Sequence, residues 1–461
     1  MEEINQTTDY NIIFLSMVGS DGTLHDLRSI FVELNIYDTV MFPSVSGNII
    51  VADAVGLINK LKFDGSEVLL ISMGKTETEL TYVNKFRVYK VDNRNPLNQT
   101  SEVYSLHFIS DEYILSSQRK INQSFLGVYS DIASKIMVNN LNLKPSSIIV
   151  SPSSGIKNIV VPNLSPIESL EWMASRAVNE DSVPNFLFFE NKHGYNFVSL
   201  SDMIQSKEIA KINVDPKNLG KTFFRGKDNT TEMGNEFVGA REFKTISQLD
   251  FLKTVKSGSY AGTFLGFDPI TRTFDKQKYD YSTYYGKNPV HNNKVPNIPL
   301  VYDVEGKLNI ENYDSKKVMY SSALNRLNSE YIKKYGNAIE KNVDDNPQEY
   351  VLQRPAILRM FFSKRVKLVM PGNFNLTSGH TVLIKVPDRS RVQGDENKDE
   401  SLYGKYTIIS TRHIITYTKH ETIFEACTDS LDGTQFNPPS TAQNAYLDDA
   451  YKLENISTIT I

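Results

Sequence analysis

Seven histidines, His25, His107, His193, His291, His380, His413 and His420, are the side chains most able to bind metal or carry a proton. Metal pairs on one face need a spacing of two or four residues. No two of these have it, and none lies in an H-E-x-x-H pattern. His413 and His420 flank the turn expected of one hairpin, which favours a structural role over that of ligand or base. Cys427 is the one cysteine, so neither an internal disulfide nor a cysteine-based zinc cage is available. A buried small residue is its expected role, with a reactive thiol as the sharper alternative. In the acidic run 394–400, Asp395, Asn397 and Asp399 alternate as calcium ligands do. The central glycine and the closing bidentate glutamate of a calcium loop are missing, which favours a solvated hairpin tip.

The chain has no Walker loop, no G-x-G-x-x-G fingerprint and no G-x-S-x-G elbow. Gly258-Ser-Tyr-Ala-Gly262 does not open a helix at phosphate-binding spacing. Carboxylates are plentiful, but nothing pairs two of them for glycoside chemistry. Glu168 reads as a helix cap and Glu171 as the polar face of the same helix. Tyr279, Tyr281, Tyr284 and Tyr285 form a cluster with two readings: amphipathic anchors at a protein interface, or a loop packed on its own domain. No catalytic residue, cofactor site or metal site is nominated, and the expectation is a protein that is not an enzyme.

The elements that would carry these residues are mostly strands. At 461 residues the chain allows two to four compact units of roughly 100–200 residues. Tyr and Phe number 24 each, against one Trp, and they accompany many Val, Ile and Thr runs. Such side chains suit a pleated, half-buried surface. The formal charge of −4 comes without a Lys/Arg block, which argues against a phosphate-tracking groove. Asn11–Val18 is apolar but far shorter than the roughly 20 residues that span a bilayer, and no leader is visible. A soluble protein made in the cytoplasm is expected.

The first unit, residues 1–115, reads as a small antiparallel β-barrel or sandwich. Ile30, Val32, Leu34 and Ile36 alternate, Ser46-Gly47 and Asp64-Gly65 make turns, and strands carry Phe86/Val88 and Tyr104/Leu106/Phe108. A loop is expected over Asn93–Asn98. The second unit, 116–210, is α+β. Phe125, Val128, Ile132, Ile136 and Asn140 give one helical stripe. Ser165, Pro166 and Glu168 occupy N-cap, N1 and N3 of the next helix, and a hairpin joins Phe186–Glu190 to Tyr195–Leu200. Residues 211–235 read as a connector. A second β-unit is made of 236–275 with 351–435, interrupted by an inserted accessory region, 276–350, and followed by a tail, 436–461. An exposed helix is expected over Ser322–Lys341. Asp64–Leu69 and Ser378–Leu383 share a faint echo, a glycine turn leading into a strand, which is weak support for duplication.

Val369-Met-Pro371-Gly372-Asn373-Phe374-Asn375-Leu376-Thr-Ser-Gly379-His-Thr-Val382 resembles a segment of the central baseplate hub proteins of T-even-like contractile phages, where a strand runs through such a turn into a second strand. Gly404–Ser410, the hairpin from His413 to Asp429, and the capped helix followed by Phe188-Phe-Glu190 and Gly194-Tyr-Asn-Phe197 are similar as well. The resemblance in order and character covers most of residues 10–435. Pro371, Gly372, Asn373, Leu376 and Gly379 are its structural residues.

The resemblance implies a β-rich α+β chain with two tube-protein-like antiparallel β-barrel domains plus α+β accessory domains. It implies a homotrimeric hollow ring, six similar barrels from three chains, joining a threefold spike to a sixfold tail tube. A closed ring pairs edges that would otherwise aggregate. Implied partners are the central spike protein, a tail tube or tube-adaptor protein and baseplate wedge proteins. DNA passes without specific binding, no membrane is involved, and the location is the virion tail baseplate. The hub segment of a type VI secretion spike shares this architecture. A virion-associated cell-wall hydrolase or glycan-binding protein is the alternative from another class. It predicts a carboxylate-lined or aromatic cleft in 116–210.

Overall fold

The computed structural model describes residues 10–61, 63–74, 80–214, 237–247, 250–269, 272–281, 291–292, 314–321, 347–387, 399 and 401–430. Strands β1 (Asn11–Val18), β2 (Leu24–Asp26), β3 (Phe31–Thr39), β4 (Ser46–Asp53), β5 (Val68–Gly74), β6 (Leu80–Pro96) and β7 (Glu102–Ser110) form the first unit. They lie in the order β2-β1-β5-β6-β7-β4-β3, and every neighbouring pair is antiparallel. β4 alternates buried and half-buried positions over its whole length, as a strand with one covered face must. β3 does not keep that alternation. Its register against β4 shifts between Phe31 and Glu33, and this bulge turns Phe31 into the core while Val32 stays 48% exposed. The apolar pattern Ile30/Val32/Leu34/Ile36 therefore breaks at Val32.

Two expected boundaries move. Ser46-Gly47 is not a turn; Gly47 lies inside β4, because a Cβ there would meet the Asn35 carbonyl oxygen at 2.2 Å and the Phe108 ring at 2.3 Å. β6 runs on to Pro96, through a second bulge at Asn93, where a loop was expected. Asp64-Gly65 is a turn: Gly65 has φ +92°, and the carboxylate of buried Glu67 accepts from the amides of Asp64 and Gly65.

The α+β region pairs β8 (Ser124–Gly127) with β10 (Lys157–Val160). It also builds a three-stranded sheet from β9 (Ile148–Val150), β11 (Phe186–Asn191) and β12 (Gly194–Ser199), with β9 parallel to β12. Helices Tyr129–Leu141 and Pro166–Ala174 share a core with this sheet. The first helix starts later than its stripe suggests. Phe125 belongs to β8 and Val128 is the N-cap in extended conformation, while Ile132 and Ile136 are fully buried. The second helix begins on a complete capping box, with Ser165 and Glu168 each accepting from the other's amide. The Ser165 backbone amide, then hydrogen bonds with the Lys120 ammonium and the Ser165 hydroxyl, hold the Glu168 carboxyl down at about 2.

The second unit comprises β13 (Ala210–Asn213), β14 (Phe237–Gly239), β15 (Glu242–Ser247), β19 (Lys364–Pro371), β20 (Thr381–Lys385), β21 (Gly404–Ile415) and β22 (His420–Thr428). Its order is β14-β13-β20-β21-β22-β19-β15. Numbered by chain order within each unit, both sheets read 2-1-5-6-7-4-3. One strand differs in direction: β13 is parallel to β14 and β20, whereas β1 is antiparallel to β2 and β5. β13 follows the helix Leu200–Gln205 of the α+β region, and so enters its sheet from the other end. Lys211–Asn213, expected in a connector, are thus strand.

The expectation of two separate antiparallel barrels is corrected on two points. β13 is parallel to its neighbours, and among the described residues no strand pair closes either unit. Instead the units merge into one fourteen-stranded network, because β21 pairs with β20, β22 and β3. A further departure concerns β16 (Ala261–Asp268). It pairs with β17 (Thr273–Asp280) and with β18 (Lys316–Ser321) in a sheet of its own, packed on helix Gln353–Phe361 through Phe264, Tyr279, Leu352 and Ala356. Residues 261–268, expected in the second β-unit, lie here, and the boundary expected at 275 falls within β17. Ser322–Lys341 and Tyr284 lie outside the described residues, and of the run 394–400 only Asp399 is described. Among the described residues no helix is long and apolar enough to cross a membrane.

Candidate functional site

The segment Pro371–Gly379 links β19 to β20 and touches all three major regions. Gly372 donates to the His420 carbonyl at 2.8 Å, and a Cβ on it would fall 2.0 Å from the His420 ring. Asn373 folds the next turn, its side-chain oxygen accepting from the Asn375 amide at 2.9 Å. Alternation then does the joining. Phe374 enters the core of the first unit, stacked on Tyr82 at 4.7 Å, while Leu376, two residues on, enters the core of the second. Burying each such side chain is worth about 1.5–3 kcal/mol, so one dipeptide step staples two cores.

Polar contacts complete the junction. Buried Asp38 of β3 accepts from Thr377 Oγ1 at 2.8 Å and from the Ser378 amide at 2.9 Å. Burial raises the Asp38 carboxyl above its ordinary range, against the lowering effect of these hydrogen bonds. Asn191 of β11 donates to the Ser378 carbonyl at 2.9 Å. Gly379 has φ +87°, and a Cβ there would strike the Phe189 ring at 2.6 Å; both facts require glycine. Between Phe189 and Asn191, buried Glu190 accepts from the Val45 amide at 2.7 Å and from Ser110 Oγ at 2.6 Å in the first unit. Burial pushes its pKa up to about 7. Three consecutive β11 residues thus touch the turn, the first unit and the turn again.

His413 and His420, apart in sequence, meet across the β21–β22 pair, with Nε2 of His420 3.3 Å from Nδ1 of His413. Both rings pack on Phe374, at 4.6 and 4.5 Å between centroids. Burial draws the His413 pKa down to about 3 and that of His420 well below the ordinary value, so both are neutral wedges behind the staple. A third histidine makes the arrangement nearest to chemistry. His291 Nδ1 lies 2.9 Å from Asp429 Oδ1, and its Nε2 lies 2.7 Å from Thr407 Oγ1. This is the order of a nucleophile, base and acid. Thr407, however, is fully buried within a strand and His291 is 4% exposed, so no substrate can approach the hydroxyl.

Tyr279 and Tyr281, read above either as interface anchors or as packed on their own domain, are buried within the chain itself. Tyr279 packs with Phe264 and Leu352, and Tyr281 with Tyr260 and Met360. Tyr285, like Tyr284, lies outside the described residues. Cys427 is buried in the cluster shared by β11, β12 and helix Gln353–Phe361. Among the described residues no group of three His, Cys, Asp or Glu side chains is placed to hold a metal ion. Sequence reading missed Asp38, Glu190 and Asn191. Their signal was a polar residue inside an apolar strand pattern, most plainly Glu190-Asn191 after Phe186–Phe189.

No family model and no curated protein sequence matches the chain. Solved structures do. A tail protein from Neisseria meningitidis MC58 aligns over 91% of this chain and 97% of its own, with TM-score 0.50 and 10% identity. The 43 kDa tail protein of prophage MuSo2 from Shewanella oneidensis covers 91% and 99%, with TM-score 0.49 and 8% identity. An Escherichia coli protein described as a component of the type VI secretion system, with structural similarity to T4 tail proteins, covers 87% and 74%, with TM-score 0.38 and 8% identity. The chain therefore shares, over 91% of its length, the fold of the Neisseria tail protein.

Proposed function

We propose that this chain is the central hub of a phage tail baseplate, with no catalytic role. Three copies form a hollow ring that joins a threefold spike to a sixfold tail tube and lets DNA pass. The observation that carries the reading is the duplication: two seven-stranded units of one strand order, 2-1-5-6-7-4-3, fused edge to edge. Three chains so built present six similar tube-type units, which is what a threefold-to-sixfold adaptor needs. The staple Phe374–Leu376 and the Asp38 and Glu190 contacts hold the two units and the α+β region in one relation, as a load-transmitting ring requires. The fold shared with the Neisseria tail protein supports it. A net charge of −4 without a cationic block suits a bore that does not trap DNA.

Light scattering on the purified chain tests this, with and without a candidate spike protein. Three chains per particle are expected in at least one setting; a strictly monomeric species at micromolar concentration in both refutes the ring. A peptidoglycan turnover assay should be blank. Activity abolished by a single Asp or Glu substitution in the 116–210 region would instead favour the hydrolase reading.

A further inference from the structure

The seam inside the chain shows how a seam between chains would be made. β3 pairs with β4 on one edge, and on the other its Leu34–Thr39 segment pairs with Ile415–Ser410 of β21. The Val40 amide extends the seam to the Ile409 carbonyl at 2.9 Å. β21 can offer this half because β20 stops short of it. The β20 register ends at Thr381 opposite Thr407, and the His380 carbonyl takes the Ile408 amide at 2.8 Å. There β21 bulges, its register against β22 shifting between Ile408 and Ser410.

β6 repeats each of these features. β5 ends at Val68 opposite Arg87, the Glu67 carbonyl takes the Val88 amide at 3.0 Å, and the register against β7 shifts between Val88 and Lys90. Tyr89 therefore corresponds to Ile409, and the stretch Val88–Pro96 corresponds to the half of β21 that receives β3. Among the described strands none pairs with that stretch on the β5 side. The exposures agree: Ile409 is 6% exposed beneath its seam, while Tyr89 is 54% exposed. β15, which occupies the place of β3 in the second unit, pairs with β19 alone among the described strands. Its Glu242, Lys244 and Ile246 are exposed.

We propose that β15 of one copy pairs antiparallel with the Tyr89–Arg94 stretch of β6 in a second copy of this chain, repeating the β3–β21 seam. The inference rests on the ring reading and supplies its contact. Free strand edges pair readily, and a head-to-tail contact of this kind closes into a ring when its rotation permits. The register follows from the duplication. Leu34 and Ile36 lie opposite Ile49 and Gly47 of β4, as Phe243 and Thr245 lie opposite Leu368 and Val366 of β19. Arg412 lies opposite Ile423 as Asp92 lies opposite Ser105. In the internal seam Tyr37 faces Arg412, the guanidinium carbon 5.7 Å from the ring centre. Transferred, Ile246 faces Asp92.

The test is disulfide trapping in the full chain, whose one native thiol, Cys427, is buried. Asp92→Cys with Ile246→Cys, mildly oxidised, should give a non-reducing ladder of one, two and three chains that ends at three and collapses on reduction. Either single variant should stay at the one-chain position. Asp92→Cys with Ser247→Cys covers the neighbouring register, because β15 bulges between Thr245 and Ser247 and pairs Ser247 with Arg365 as Tyr37 pairs with Ser46; circular dichroism confirms that each variant folds. Three-chain particles by light scattering with neither pair trapped would overturn the seam and leave the ring standing. A ladder running beyond three would uphold the seam and overturn the closed ring. Monomers by scattering without trapping would overturn both.

Discussion

The two β-units share a strand order but fill equivalent places with opposite choices. In the first, Gly47 of β4 lies opposite Phe108 of β7; in the second, Val366 of β19 lies opposite Ala426 of β22. One pair is small against large and the other medium against small, so the total volume is kept while the partner changes. The edges differ too. The second unit's long strand β21 is covered by β3, whereas the matching stretch of β6 has no described neighbour on that side. A duplicated fold can thus diverge freely in sequence, because packing conserves volume and topology rather than residue identity. The edge left open is where a repeat of the internal seam fits.

Phe374→Ala removes the aromatic that ties the turn to the first unit and leaves Tyr82, His413 and His420 around a void. The expected loss is about 3–5 kcal/mol, read as a drop in the urea midpoint. A change confined to surface-like values would mean that the units are not coupled there.

The swapped pair offers a sharper cycle. Gly47→Val should cost about 1–3 kcal/mol through overpacking against Phe108. Adding Phe108→Ala, which imitates the second unit, should recover part of that loss, with the Asn35 carbonyl limiting the rescue. Strict additivity of the two variants would show that the positions are not equivalent.

The locks on the two units should also differ in pH response. His413, held down at about 3, protonates more readily when unfolded. Its contribution is complete above about 6.5, the ordinary histidine value, and is lost as pH falls toward 3. Glu190, pushed up from the ordinary carboxylate value to about 7, runs the other way. It contributes fully below about 4.3 and loses that contribution as pH rises through 7. Glu190→Gln should therefore raise the melting temperature at pH 8 and leave it nearly unchanged at pH 5; an equal shift at both would contradict a buried, titrating carboxyl. Smallest of all, Ser165→Ala should cost about 1 kcal/mol by removing a capping bond, without touching either β-unit.

Local chemistry was the part most legible in sequence. The Ser165-Pro-x-Glu168 box, the β11–β12 hairpin and the Asp64-Gly65 turn depend on neighbours a few residues apart, and each stands where composition put it. Strand order was not legible, because pairings such as β3 with β21 join residues hundreds of positions apart and leave no local trace. The echo between 64–69 and 378–383 pointed to the duplication but misaligned it by one residue. Glu67 and His380 make the equivalent bonds, two and one residues after their glycines. Alternation failed where a bulge intervenes, at Val32, since a bulge shifts the face without changing residue type. Within the Pro371–Gly379 turn, Asn373-Phe-Asn-Leu376 already showed a period of two. Only the topology reveals that its two apolar residues serve different cores. The two readings of the tyrosines could not be separated in sequence, because Tyr279 packs in a small sheet whose third strand, β18, lies far along the chain.

The most direct measurement is electron microscopy of the purified full-length particle, averaged down its axis. A hollow ring of three chains showing six similar lobes, about the width of a tail tube, with β-density continuous between lobes, is the expected image. A solid globule, or a particle of three unlike lobes with no bore, would contradict it.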